Sequence, residues 1–259
     1  MRVLITGAGG QVGRELLRRA PAAATLKALD RAALDICDAA AIAQVLEEFQ
    51  PTHIINAAAY TAVDKAESDR EAAWALNALA PRELALAAAR LGHCRLIHIS
   101  TDYVFDGAST RPYLTSDAPN PINVYGASKL DGERAVLEIL PEHSAIVRTA
   151  WVYGVHGRNF VHTMLRLMRE RGTVRVVDDQ LGTPTAAAPL ADLLWVLASR
   201  PGLTGLYHWT DAGVASWYDF AVAIAEDARA RGLLSSRIEI TPKRTSSTFC
   251  SGAVSTSAE

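Results

Sequence analysis

The chain has 259 residues, 28 acidic against 26 basic side chains for a formal net charge of −2, and 49% hydrophobic residues. Its charges are interspersed, so there is no basic stripe for nucleic acid and no polybasic segment for a membrane surface, and the length allows one large or two interleaved domains with an ordinary core. Cys37, Cys94 and Cys250 are widely scattered and the seven histidines show no two-ligand spacing with them, so neither a disulfide framework nor a structural metal site is expected.

In chain order, Arg2–Thr6 reads as a short buried strand. It is far too short for a signal peptide, which predicts a cytoplasmic protein. It runs into Gly7-Ala8-Gly9-Gly10-Gln11-Val12-Gly13 and then a helical pattern. Glycines at 7, 10 and 13 allow a tight turn, let the backbone approach a pyrophosphate and bring the helix close to its sheet, while the helix N-terminus offers N–H groups to phosphate. The next strand, Thr25–Leu29, ends at Asp30, where a carboxylate would bind a ribose 2′-hydroxyl and favour NAD. Arg31 follows and could pair with a 2′-phosphate, so NADPH and NADH both stay open.

A helix near Ala39–Glu48 comes next, then a strand over His53–Ala59 and a long helix over roughly Arg70–Leu91. The strand Cys94–Ile99 leads into Ser100-Thr101-Asp102-Tyr103, placing hydroxyls and a carboxylate at a strand end where ligands bind in open α/β sheets. After the turn Pro119-Asn120-Pro121 a helix carries Tyr125 and Lys129, and Ala145–Thr149 reads as a further strand. β-Branched strands alternate with alanine- and leucine-rich helices, without a repeat or a long linker. The fold class is therefore α/β, a doubly wound parallel sheet of Rossmann type with a smaller, interleaved substrate domain. We expect residues 1–150 to form the dinucleotide-binding part and 151–244 the substrate part, with segments returning to the first.

Tyr125 and Lys129 are four residues apart on one helical face, so the ammonium is expected to sit close to the phenol and favour the phenolate, bringing a pKa of ~10 into use. The small Gly126, Ala127 and Ser128 between them would let substrate or cofactor approach. Ser100 and Thr101 read either as turn caps or, for Thr101, as a catalytic hydroxyl bonding a carbonyl under reduction. Asp102 reads as an Asx turn or a ligand, and Trp151 as core or ligand.

Together with Asn56–Glu67, Ser100–Gly107, Asn123–Gly126, Arg148–Gly154, Asn159-Phe160, Asp179–Thr185, Gly205–His208 and Ser216–Phe220, these motifs resemble the dTDP-4-dehydrorhamnose reductases, extended short-chain dehydrogenase/reductases of nucleotide-sugar metabolism. The resemblance covers residues 1 to about 244. It implies that NADPH or NADH contacts Gly10, Gln11, Val12, Asp30, Asp35, Ile36, Ala59, Tyr60 and Thr61, besides Tyr125 and Lys129. Thr101, Asp102 and Trp151 would hold the nucleotide-sugar substrate. Tyr125 would protonate the C4 alkoxide, Lys129 would tune it, and Thr101 would polarise the carbonyl, giving dTDP-L-rhamnose. The resemblance also allows a homodimer and Mg2+, although no ligands for the ion are identifiable in the sequence.

After Arg244 the chain departs from the family pattern. Residues 245–259 are Ser/Thr/Ala-rich without apolar period and read as disordered, in the manner of a truncated or frame-shifted end. That departure keeps open a non-catalytic, cofactor-binding protein resembling the regulatory β-subunit of methionine adenosyltransferase. A dehydratase of the superfamily would carry Glu where Tyr103 stands.

Overall fold

The computed structural model describes residues 1–234 and 238–245. In chain order its strands are β1 (Arg2–Thr6), β2 (Thr25–Leu29), β3 (His53–Asn56), β4 (Arg95–Thr101), β5 (Ser144–Thr149), β6 (Val152–Tyr153), β7 (Thr173–Val177), β8 (Leu181–Gly182), β9 (Thr185–Ala186), β10 (Gly205–His208), β11 (Ala215–Ser216) and β12 (Glu239–Lys243). Six of them form one parallel sheet in the order β10-β5-β4-β3-β1-β2.

Successive strand residues point to opposite faces, and this sheet is apolar on both. Leu4, Ile54 and Leu96 are register partners on one face, packed with helices 39–49, 80–91 and 124–139. Ile5, Ile55, Ile97 and Ala145 form the matching row on the other, against the helices Gln11–Arg18 and Ala187–Ser199. The doubly wound sheet read from the sequence is thus present. Because β2 lies on one side of β1 and β3 on the other, the strand order reverses between β1 and β3, which opens a crevice at their C-terminal ends.

Beyond Trp151 the chain does two things. Helix Ala187–Ser199 and β10 rejoin the main sheet, while helices Phe160–Glu170 and Trp217–Ala230 bury a separate apolar cluster with β7 and β12. Thr245 is held to Asp179 through its amide and hydroxyl. The rest of the tail expected to be disordered, 246–259, lies outside the described residues.

Two elements differ from their sequence expectation. β3 stops at Asn56 rather than Ala59, because Ala57 and Ala58 turn across Gly7. The helix over 70–91 contains a wider π segment at Ala75–Leu79, where the Ala80 amide bonds the Ala75 carbonyl five residues back. Pro81 has no N–H to return to the Asn77 carbonyl, so regular α-helix cannot continue through this point.

A Cβ on Gly13 would lie 2.3 Å from the Gly7 carbonyl oxygen, a backbone atom that cannot swing aside. Gly13→Ala is expected to cost about 1–3 kcal/mol in urea denaturation, as overpacking does. Unchanged stability would mean that the first helix can lift from its sheet without penalty.

Candidate active site

The crevice between β1 and β3 is a cleft of about 740 Å³, lined by Gly7, Gly9, Gly10, Asp30, Arg31, Asp35, Ile36, Ala57–Tyr60 and others. Gly7 sits at φ +69°, and any Cβ there would meet the Ala57 and Ala58 backbone at 2.6–2.7 Å. Gly10 caps the helix Gln11–Arg18 without a side-chain bond, which leaves the first-turn N–H groups without a side-chain acceptor. Gly13 is used for helix-to-strand packing. Gln11 turns its side chain the other way, accepting from Asn159 at 2.9 Å, and Val12 packs against the core.

Asp30 stands beside Gly9, and its Oδ1 accepts from the Ala32 and Ala33 amides at 3.0 and 3.1 Å, which holds the carboxylate at the rim. Asp35 similarly accepts from the Cys37 amide, and Ile36 is buried beside it. Arg31 lines the same cleft. On the opposite wall the Tyr60 backbone is gripped twice by Asn77, whose side chain accepts from the Tyr60 amide at 2.8 Å and donates to its carbonyl at 3.0 Å. Thr61 follows, exposed.

The helix Val124–Ile139 starts where Asn123 accepts from the Gly126 amide and Glu67 accepts from the Val124 amide. Its first turns carry Tyr125 and Lys129, both buried. Burial raises the Tyr125 phenol well above its usual value, while a hydrogen bond with Thr101 acts in the opposite direction, and Asp102 and Tyr103 add to the rise. Thr101 donates to Asp102 Oδ1 at 3.1 Å and accepts from the Tyr103 amide. Asp102 is buried with Oδ2 unpartnered, and burial lifts its carboxyl to about 7.

The expected Lys129–Tyr125 coupling is corrected by this geometry. Lys129 Nζ turns to the strand, donating to the Ile99 carbonyl at 2.6 Å and meeting His98 Nε2 at 3.3 Å. Burial lowers it to about 8, against the pull of Glu133, and no lysine contribution reaches the phenol. The small residues between the pair also face protein, because Gly126 packs on the Tyr103 carbonyl and Ser128 bonds Asn77. Tyr125 is therefore a neutral phenol at ordinary pH, suited to giving a proton.

Trp151 adopts φ +46° and lies between Trp217, stacked at 3.5 Å between ring centroids, and Gly182, with its indole N–H unpartnered. Five residues to which the sequence reading gave no role bind this site together: Asn56, Asn77, His98, Glu133 and Arg148. Glu133 and Arg148 form a buried ion pair at 2.6 Å one turn beyond Lys129. The available signal was a polar side chain inside an apolar run, as in Leu96-Ile97-His98-Ile99. Among the described residues there is no group of three or more His, Cys, Asp or Glu side chains that could hold a metal ion.

A family model described as the RmlD substrate binding domain matches residues 1–252. The chain belongs to the dTDP-4-dehydrorhamnose reductase family. It is 43% identical to dTDP-4-dehydrorhamnose reductase of Escherichia coli K12, covering 90% of this chain and 80% of that one. It is 45% identical to dTDP-4-keto-6-deoxy-D-glucose reductase of Streptomyces niveus, covering 94% and 87%. The crystal structure of the Bacillus anthracis family member in complex with NADP superimposes with a TM-score of 0.90 at 40% identity, covering 98% and 88%.

Asn77→Ala is expected to leave the Tyr60 amide and carbonyl without partners and weaken NADPH binding by about 1–3 kcal/mol, roughly 5- to 150-fold in a fluorescence titration. An unchanged dissociation constant would remove Asn77 from the site. For Asp102, the folded chain keeps a proton between about pH 4 and 7 that the unfolded chain has lost, so stability falls as pH rises through that window. Asp102→Asn carries no such proton. The wild type should lose stability relative to it on the order of a few kcal/mol over the window, and parallel denaturation curves would refute the burial argument.

Proposed function

We propose that this chain reduces the C4 keto group of dTDP-4-dehydro-6-deoxy-L-mannose to give dTDP-L-rhamnose, using NADPH or NADH. The observation that carries the reading is the Tyr125 phenol, beside Thr101 and kept neutral by burial, at the end of β4 in the same sheet edge as the glycine-walled cleft. The cleft fits a dinucleotide: Gly7 and Gly10 keep side chains out of it, the first-turn amides of the Gln11–Arg18 helix can meet phosphate, and Asp30 and Arg31 stand where the adenosine ribose would end. When bound, the cofactor would supply the hydride.

As the carbonyl oxygen takes on negative charge, Tyr125 gives it the phenolic proton. Thr101 donates a hydrogen bond at the same point, available because its contact to Asp102 is a single long bond. Asp102, with Oδ2 unpartnered, is assigned to a sugar hydroxyl, and Trp151 with Trp217 to the wall that covers the sugar nucleotide. We assign the cluster built by helices 160–170 and 217–230 to the substrate domain, and place the enzyme in the cytoplasm. Among the described residues no helix is long and apolar enough to cross a membrane. No observation favours the regulatory-subunit alternative.

The test is oxidation of NADPH and of NADH with dTDP-4-dehydro-6-deoxy-L-mannose. Tyr125→Phe is expected to lower kcat by about 10²–10⁴-fold, the usual weight of a general acid. A wild type no faster than that variant would overturn the assignment. Preferential turnover of dTDP-4-keto-6-deoxy-D-glucose would transfer it to the other hexose.

A further inference from the structure

A buried row of side chains beneath the site determines where its protons lie. Thr6, Asn56 and His98 are register partners on β1, β3 and β4. The Ala58 backbone amide can only donate, so the Asn56 atom 3.2 Å from it is the carbonyl oxygen, which also accepts from Thr6 Oγ1 at 2.7 Å. The Asn56 NH2 group therefore faces His98 Nδ1 at 3.0 Å. Having no lone pair to offer, that group makes Nδ1 the acceptor and puts the ring proton on Nε2. The Nε2–H then points at Lys129 Nζ, 3.3 Å away, while Nζ donates to the Ile99 carbonyl. An ammonium carries donors and no acceptor, whereas an amine offers one lone pair. Only with the amine does every contact in the row pair a donor with an acceptor.

We infer that Asn56 and His98 are positioning residues that lock the His98 Nε2–H tautomer and thereby favour the amine over the ammonium form of Lys129. His98 cannot relieve the conflict by protonating, because burial and Lys129 both hold it neutral. Burial acts on Lys129 in the same sense as the tautomer. The other groups around the lysine are Glu133 one turn along its helix, neutralised by Arg148 of β5, and Tyr125 on the preceding turn with Asp102 and Tyr103 acting on it. The neighbouring π segment brings the uncharged Asn77. Through Ala58, which lines the cleft, the strand end that faces the ligand is tied to the proton inventory of Lys129. The lysine thus holds its proton less firmly than a solvated ammonium does. This goes beyond the reductase reading and can be read out without turnover.

The experiment is NMR of the cofactor-free protein with 15N-labelled histidine and lysine, assigning His98 by the signal missing in His98→Gln and Lys129 by that missing in Lys129→Met. His98 is expected to show an unprotonated Nδ1 and a protonated Nε2 at neutral pH, and Lys129 Nζ to titrate at or below about 8. The reverse tautomer, or a lysine titrating at its ordinary value of about 10.4, overturns the inference. In Asn56→Asp a carboxylate faces Nδ1, so the ring should switch to the Nδ1–H tautomer and the Lys129 titration should rise by about one to three pH units. A switched ring with an unmoved lysine titration also overturns it. If that variant does not fold, the wild-type spectrum decides alone.

Discussion

Backbone meets backbone at the C-terminal edge of the sheet, and the rest of the structure depends on that approach. Gly7 lies against Ala57 and Ala58, and Gly13 against Gly7, which brings β1, β3 and the first helix together around the cleft. On the other side Gly126 packs on the Tyr103 carbonyl and Gly132 on the Asn77 carbonyl, which seats the Tyr125 helix against the end of β4 and the π segment. A side chain at these points would meet backbone at 2.0–2.6 Å and force the parts to shift apart. The cleft, the Tyr60 turn and the phenol would then no longer share one edge.

Seated this closely, the side chains of the site are buried, and its electrostatics follow from that. Burial moves Tyr125 and Asp102 up and Lys129 and His98 down, in each case toward the uncharged form. Close by, Glu133 and Arg148 compensate each other through short bonds between the helix and β5. Hydrogen bonds among neutral groups, Asn77 to Tyr60 and Ser128 or Asn56 to His98, carry much of the positioning. Charge that develops during a reaction therefore appears in surroundings that contain little of it beforehand, where a fixed donor such as Thr101 acts strongly.

Much of the frame was legible in the chain itself. The runs Val3-Leu4-Ile5 and Ile54-Ile55 read as strands and are covered on both faces, and the Gly7–Gly13 spacing following a strand announced the cleft. The strand-end Thr101-Asp102 and the pair Tyr125 and Lys129 were found because they sit in local patterns. Asn77, His98 and Glu133 sit in none, and the motif that begins at Arg148 gave that residue no role. Asn77 and His98 are single polar residues within apolar runs and Glu133 stands in the polar stretch 131–134, so only a partner on another element, 15 to 51 residues away in sequence, gives each a meaning.

Helical spacing shows the same division in one pair of residues. Sequence alone determined that Tyr125 and Lys129 share a helix face, because that follows from 3.6 residues per turn. Where the ammonium goes along that face was decided by tertiary structure: the Ile99 carbonyl and His98 ring, brought alongside by β4, offer a buried amine better partners than a phenol one turn away. Likewise the alternation of strands and helices determined an α/β sheet, whereas the reversal between β1 and β3 that opens the cleft depends on strand order. Periodicity is a local property and survives in one dimension. Strand order and buried hydrogen-bond partners are choices among distant segments, made only when the chain closes on itself.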